Sequence, residues 1–215
     1  MKESLADASF QELLRPFPQR HVRNVLNAVL DAATSLKKKT RMDKENWLTR
    51  RLHGRLLQRF PFRDGPLDIA MQPEIGHEDI DADRPAGQLD IKVTCGKGAH
   101  VYFAIEAKRL RVSDPFGRVD TGAREYVKDG MMRFVSGQYA LRMNSGAMLG
   151  YVFDGNTPAA RSDIAKAIEQ RRDLLMLHQK GELRRSTILP DGPVDETVHE
   201  PGKRKFILYH VLVAV

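Results

Sequence analysis

Asp90, Glu106 and Lys108 are the residues whose types and spacing could do chemistry. Gln88 to Cys95 alternates, with Leu89, Ile91, Val93 and Cys95 on one parity and Gln88, Asp90, Lys92 and Thr94 on the other. Val101 to Lys108 alternates too, with Val101, Phe103, Ile105 and Ala107 opposed to Tyr102, Ala104, Glu106 and Lys108. Gly96-Lys97-Gly98 between them is a turn signal, so the two runs form an antiparallel hairpin. A turn centred on Gly98 puts Asp90 opposite Glu106, and one centred on Lys97 puts it diagonal. Either way both carboxylates share a face at roughly 4.5–8 Å between Cβ atoms. Like charges that close repel unless neutralised. A hard divalent cation such as Mg²⁺ or Mn²⁺, which prefers carboxylate oxygen, would neutralise them. Lys108 reaches the same face, where an ammonium could hold an attacking water or stabilise charge on a phosphoryl oxygen.

The flanking elements must position this face. Val22, Val25, Leu26, Val29 and Leu30 mark an amphipathic helix from His21 to Leu36, and Leu48, Leu52 and Leu56 mark another from about Asp43 to Phe60. Asp43 is the expected N-cap of the second. Glu45, three residues before Leu48 and seven before Leu52, projects from its buried side. Leu67 to Ile75 then reads as a strand. It is followed by an acidic loop (Gly76 to Gly87), the hairpin, and a break at Asp114-Pro115-Phe116-Gly117. A helix from Gly122 to Met143, a strand from Ala147 to Phe153, a helix from Ser162 to His178 and a last strand from Lys205 to Val213 complete the chain. Pro190 to Gly202 is expected to be irregular. The order α, α, β, β, β, α, β, α, β implies a mixed sheet: three antiparallel strands, then a helical crossover to a strand parallel to the third. The expected fold class is α/β, with helices flanking a mixed central sheet.

Composition narrows the function classes. The 215 residues suit one domain, residues 1–215, with a core over about 43–153, an N-terminal helical extension over 1–42 and a C-terminal helix and strand over 154–215. Thirty-five Lys and Arg against 28 Asp and Glu give a formal charge of +7, which favours a polyanionic partner. The single cysteine, Cys95, excludes an internal disulfide framework and an all-cysteine zinc site, and suits a cytoplasmic setting. No apolar run approaches the ~20 residues of a membrane helix. There is no G-x-S-x-G, no phosphate-binding G-x-x-x-x-G-K-[ST] and no H-x-x-x-H pair. The D-x-D-x-D spacing of Asp79, Asp81 and Asp83 is followed by Arg84 where a calcium loop needs Gly, so it reads as an acidic surface loop.

Asp90, followed by Glu106-Ala107-Lys108 on the next strand, resembles the PD-(D/E)XK nuclease superfamily. The element order from Asp43 to Phe153 is similar to that superfamily's restriction-endonuclease-like αβββαβ core, over about half the chain. The resemblance implies a divalent-metal-dependent nuclease that hydrolyses phosphodiester bonds, with DNA favoured over RNA. Asp90 and Glu106 would hold Mg²⁺, or Mn²⁺, with the Ala107 carbonyl and Glu45 completing the shell. Lys108 would orient the water. Gln138 would be the glutamine some members carry on the helix after the E-x-K strand. Arg51, Arg55, Arg109 and Lys128 are candidate phosphate contacts. A homodimer would supply the two sites that double-strand cutting requires, in restriction, defence or repair.

Each residue also has a plainer reading. Asp90, Glu106 and Lys108 could form a cross-strand ion pair on a wet sheet face. Glu45 could answer the helix dipole, Gln138 could bond a backbone group, and the arginines could be solvated surface. The alternative function is a non-catalytic nucleic-acid-binding or assembly module on the same fold, or an effector needing a partner subunit.

Overall fold

The computed structural model describes residues 17–76, 83–96, 101–140, 143–202 and 204–215. Half of the acidic loop, with Asp79 and Asp81, and Lys97 and Gly98 of the hairpin turn lie outside the described residues. In chain order the elements begin with helices α1 (Gln19–Ala33) and α2 (Glu45–Leu56). Strands β1 (Leu67–Met71), β2 (Glu74–Ile75), β3 (Gly87–Gln88), β4 (Ile91–Cys95), β5 (Tyr102–Leu110), β6 (Val112–Ser113) and β7 (Val119–Asp120) follow. A composite helix comes next: α3 (Ala123–Glu125), a π turn (Tyr126–Met131) and α4 (Met132–Val135). Strand β8 (Ser145–Val152), helix α5 (Thr157–Glu169) and strands β9 (Arg184–Arg185), β10 (Val194–His199) and β11 (Phe206–Ala214) complete the chain. No helix among the described residues is long and apolar enough to cross a membrane.

Seven strands make one mixed sheet, ordered β1-β4-β5-β8-β11-β10-β9. β1, β4 and β5 are antiparallel neighbours, and β8 runs parallel to both β5 and β11. The chain is thus α/β, with a mixed sheet flanked by helices. Strand alternation divides the interior into two cores. Phe103, Ile105 and Ala107 of β5 join Ile91, Val93, Leu149 and Tyr151 under α1 and α2. Ala104, Met148 and Leu208 pack instead with Val127, Met131 and Phe134 of the composite helix and Ile164 of α5. Leu48, Leu52 and Leu56 of α2 are fully buried, each contributing ~2–3 kcal/mol. β11 lies inside the sheet rather than at its margin, because both its faces are apolar.

Several elements differ from their sequence expectation, each for a local reason. Asp43 does not cap α2: its carboxylate accepts from Lys39 N–H (2.6 Å) and Thr40 Oγ1 (2.9 Å), and Lys44 precedes the first turn. The strand expected over Leu67 to Ile75 breaks at Gln72, whose φ is 52°, and β2 then pairs with β3 in a separate ribbon. The helix expected to reach Met143 ends at Val135, because Gly137 takes φ 83° and lets the chain turn back. α5 starts at Thr157, where Asn156 accepts from Ala159 N–H (3.0 Å) as N-cap. The segment read as irregular contains β10. Its acidic residues are buried yet paired, Asp195 by Arg161 (2.8 Å) and Glu196 by Arg184 (3.1 Å).

Gly122 opens the composite helix with φ 65°, and a Cβ there would lie 2.4 Å from the Arg109 carbonyl oxygen. Gly122→Ala would force backbone against backbone in a left-handed conformation. A loss of about 2 kcal/mol, read as a lower urea midpoint, is the expected result.

Candidate active site

The β4–β5 ladder runs Ile91↔Ile105, Lys92↔Ala104, Val93↔Phe103 and Thr94↔Tyr102, which is the register centred on Gly98. It stops at Ile91, one residue short of Asp90. There the strands part, and the Asp90 carboxylate accepts from Ala107 N–H at 2.7 Å, in place of the carbonyl a longer ladder would supply. The Asp90 carbonyl in turn accepts from Gln72 N–H (3.0 Å), so the residue is held at both ends. Strand splaying therefore aims this carboxylate into the gap beside Glu106.

Glu106 is 2% exposed. The wet sheet face of the plainer reading is thus not what forms here, because the π turn and α4 cover it. Glu106 Oε1 accepts from Lys108 Nζ (2.7 Å) and from Arg133 Nη1 (2.8 Å), while Oε2, also buried, has no hydrogen-bond partner. Lys108 Nζ donates also to the Ala107 carbonyl (2.9 Å) and lies 3.7 Å from Glu45 Oε1. Glu45 comes from the first turn of α2 and accepts from Arg109 N–H at 3.0 Å. Glu45, Asp90, Glu106 and Lys108 thus line one cleft of about 310 Å³, whose lining also includes Arg133 and Tyr139.

Too many negative charges for the available water set the electrostatics. Burial, and then the Asp90 charge, push the Glu106 carboxyl up to about 7. Burial raises Asp90 as well, although Ala107 N–H and Lys108 oppose it. Burial raises Glu45, with Asp90 adding to the rise. Burial works against the Lys108 charge, but Glu106 and Glu45 outweigh it and its pKa is raised.

The folded state holds the Glu106 proton more tightly than an unfolded chain, whose reference is 4.5. That contribution is full below pH 4.5 and is lost as pH rises through about 7. In metal-free buffer, Glu106→Gln should therefore gain stability relative to wild type, by about 3 kcal/mol, as pH rises across this window. Urea unfolding at several pH values measures it, and a constant difference between the two proteins would count against the assignment.

The donor set suits a hard cation. It offers carboxylate and carbonyl oxygen, an orphaned buried oxygen on Glu106, and three acids against two bases. It is not a preassembled cage: among the described residues, no three His, Cys, Asp or Glu side chains are grouped to hold a metal ion. The Ala107 carbonyl is engaged by Lys108.

The remaining candidates fall into place around this cleft. Gln138 lies on the turn after α4 rather than on a helix. It lines the cleft rim, and its Nε2 donates to the Ala86 carbonyl (2.7 Å). Gly87 makes this approach feasible, since a Cβ would lie 2.8 Å from both Gln138 Nε2 and Tyr139 Cε1. Arg51 stacks over Trp47 (4.6 Å) and Lys128 is exposed on the π turn. Arg55 is committed to Ser35 Oγ (3.1 Å). Arg109 is committed to the Asp43 carbonyl (3.1 Å) and lies over Phe153. Sequence reasoning missed Arg133 and Tyr139. Arg133 Nη1 donates to the Tyr139 hydroxyl (2.8 Å), which itself donates to the Gln88 carbonyl. No spacing pointed to either, because Gly137 reverses the chain between them; that glycine was the one available signal. No family model matches this sequence, and no curated protein and no solved structure is detectably similar to it.

Proposed function

We propose that this protein is a divalent-metal-dependent nuclease of restriction-endonuclease-like type, acting on DNA. The observation that carries the reading is Glu106: a buried carboxylate with one unpartnered oxygen, beside Asp90 and under Lys108, at the wall of an open cleft. A carboxylate costs several kcal/mol to bury, and an unsatisfied oxygen adds to that cost without any packing benefit. A cation bound at that oxygen would offset this cost.

In this reading Asp90, Glu106 and the Ala107 carbonyl would hold Mg²⁺ or Mn²⁺. When bound, that ion supplies Lewis-acid stabilisation of the phosphoryl oxygens. The chain's own contribution begins with Lys108. Oxygens of Glu106, Ala107 and Glu45 surround its Nζ and keep it an ammonium. It therefore acts as a donor, orienting the attacking water and stabilising charge on the phosphate, and not as a base. Glu45 is a positioning residue, since it touches the lysine and the Arg109 N–H. Asp90 fixes the strand gap that keeps the two carboxylates together. The net charge of +7 favours a polyanionic substrate for the protein as a whole.

A second reading, a non-catalytic nucleic-acid-binding module, is favoured by one observation: Lys108 and Arg133 already neutralise one Glu106 oxygen without any metal. Incubation of plasmid and single-stranded DNA with the wild type and Mg²⁺ or Mn²⁺ separates the two. Metal-dependent cutting that Glu106→Ala abolishes supports the nuclease. Salt-sensitive binding without cutting by folded protein supports the module, and equal cutting by both proteins defeats the site assignment.

A further inference from the structure

Two cations neutralise the acids of the cleft, and they are held very differently. Lys108 is 15% exposed and lies among three oxygen partners. Arg133 is 36% exposed and reaches Glu106 through one nitrogen, Nη1, at 2.8 Å. That nitrogen is shared with the Tyr139 hydroxyl, and Nε and Nη2 bond no described residue. A guanidinium bound at one corner lacks the two parallel bonds that make arginine–carboxylate pairs strong. At this exposure it is also screened by solvent. The side chain rests over the Tyr139 ring (5.5 Å to its centroid), a surface along which it can swing without losing its apolar contact.

Charge counting gives this a direction. With every group ionised, Glu45, Asp90 and Glu106 against Lys108 and Arg133 leave the cleft at −1. A divalent cation would bring it to +1, and one phosphodiester would then neutralise it. We propose that Arg133 is an exchangeable counter-cation. It neutralises Glu106 through Oε1 while no divalent ion is bound; an ion held at the unpartnered Oε2 would take over that neutralisation and release Arg133 to contact a non-bridging phosphate oxygen of the polynucleotide. This rests on the nuclease reading above. It adds a substrate-contacting residue to that reading and implies that metal binds the cleft before DNA. Arginine suits the second role, because its planar fork matches two phosphate oxygens.

The test is Mn²⁺ titration by calorimetry together with cleavage at saturating Mn²⁺, for the wild type, Arg133→Ala, Arg133→Lys and Glu106→Gln. Removing the competing guanidinium should tighten Mn²⁺ binding by Arg133→Ala by about fivefold. Its kcat should fall by about 10²-fold, with Arg133→Lys in between. Circular dichroism of each variant shows whether it is folded, and if Arg133→Ala is not, Arg133→Lys carries both comparisons. Unchanged or weaker Mn²⁺ binding by Arg133→Ala overturns the exchange. Tighter binding with undiminished cleavage overturns the phosphate contact. If the wild type and Glu106→Gln bind Mn²⁺ equally or not at all, the nuclease reading itself fails, a result distinct from either.

Discussion

Lys108→Ala will lower Mg²⁺-dependent DNA cleavage by about 10³-fold, and Glu106→Ala will lower it at least as far. The two losses have different causes, and that makes them separable. Lys108→Ala removes the ammonium that donates to Glu106 Oε1 and the Ala107 carbonyl, yet Arg133 still reaches Glu106, so the carboxylate stays partnered. Metal binding should survive and the chemical step should not. Glu106→Ala removes both the orphaned oxygen and the partner of two cations. Mn²⁺ affinity and cleavage should fall together. Plasmid nicking assays with calorimetry on the same preparations read both quantities. Retention of full activity by Lys108→Ala would remove the lysine from the mechanism.

The second large effect concerns stability far from the cleft. A chain of buried polar groups links the composite helix to the sheet. Tyr126 Oη and His210 Nδ1 are 2.9 Å apart, Thr197 Oγ1 lies 2.9 Å from His210 Nε2 and 2.8 Å from His199 Nε2, and His199 Nδ1 donates to the Leu175 carbonyl (2.7 Å). Burial pushes His199 down to about 4 and, joined by His199 and Arg161, pushes His210 down to about 3. Both rings fold neutral, while in the unfolded chain they protonate near 6.5. Their contribution is therefore complete above pH 6.5 and is lost as pH falls toward 4. The loss should be several kcal/mol, comparable with the whole stability of an ordinary domain. Acid unfolding should begin below pH 6.5 and be partly relieved in His210→Gln, whose amide can bond both neighbours but does not titrate. The same fall of the urea midpoint with pH in wild type and in His210→Gln would refute it. Glu106, joined by Asp90 and Glu45, works in the opposite direction, so the pH dependence of wild type is the difference between the buried histidines and the acids of the cleft.

Much of this protein is local and therefore legible. Alternation alone identifies the two hairpin strands, while the turn leaves two registers, centred on Gly98 or on Lys97, of which the packed sheet takes the first. The Leu48, Leu52 and Leu56 stripe identifies α2 and sends Glu45 toward the sheet. The crossover from β5 to a parallel β8 follows from strand order and length. What depended on tertiary structure was everything set by long-range pairing. VDETVH, residues 194–199, carries two acids and a histidine, and becomes a buried strand only because Arg161, Arg184 and Thr187 come from elsewhere to satisfy it. Asp90 has the parity of a ladder residue, yet its role comes from the ladder ending one residue earlier. Glu106 looks solvated by spacing and is buried by a helix that lies 20 or more residues onward in the chain. Arg133 enters the cleft through that same helix and no pattern announces it. Side-chain type and period are written residue by residue, so the sequence by itself determined which groups could do chemistry and which strand faces they share. Desolvation, orphaned oxygens and counter-charges are properties of assembled surfaces, and only the packed fold decided them.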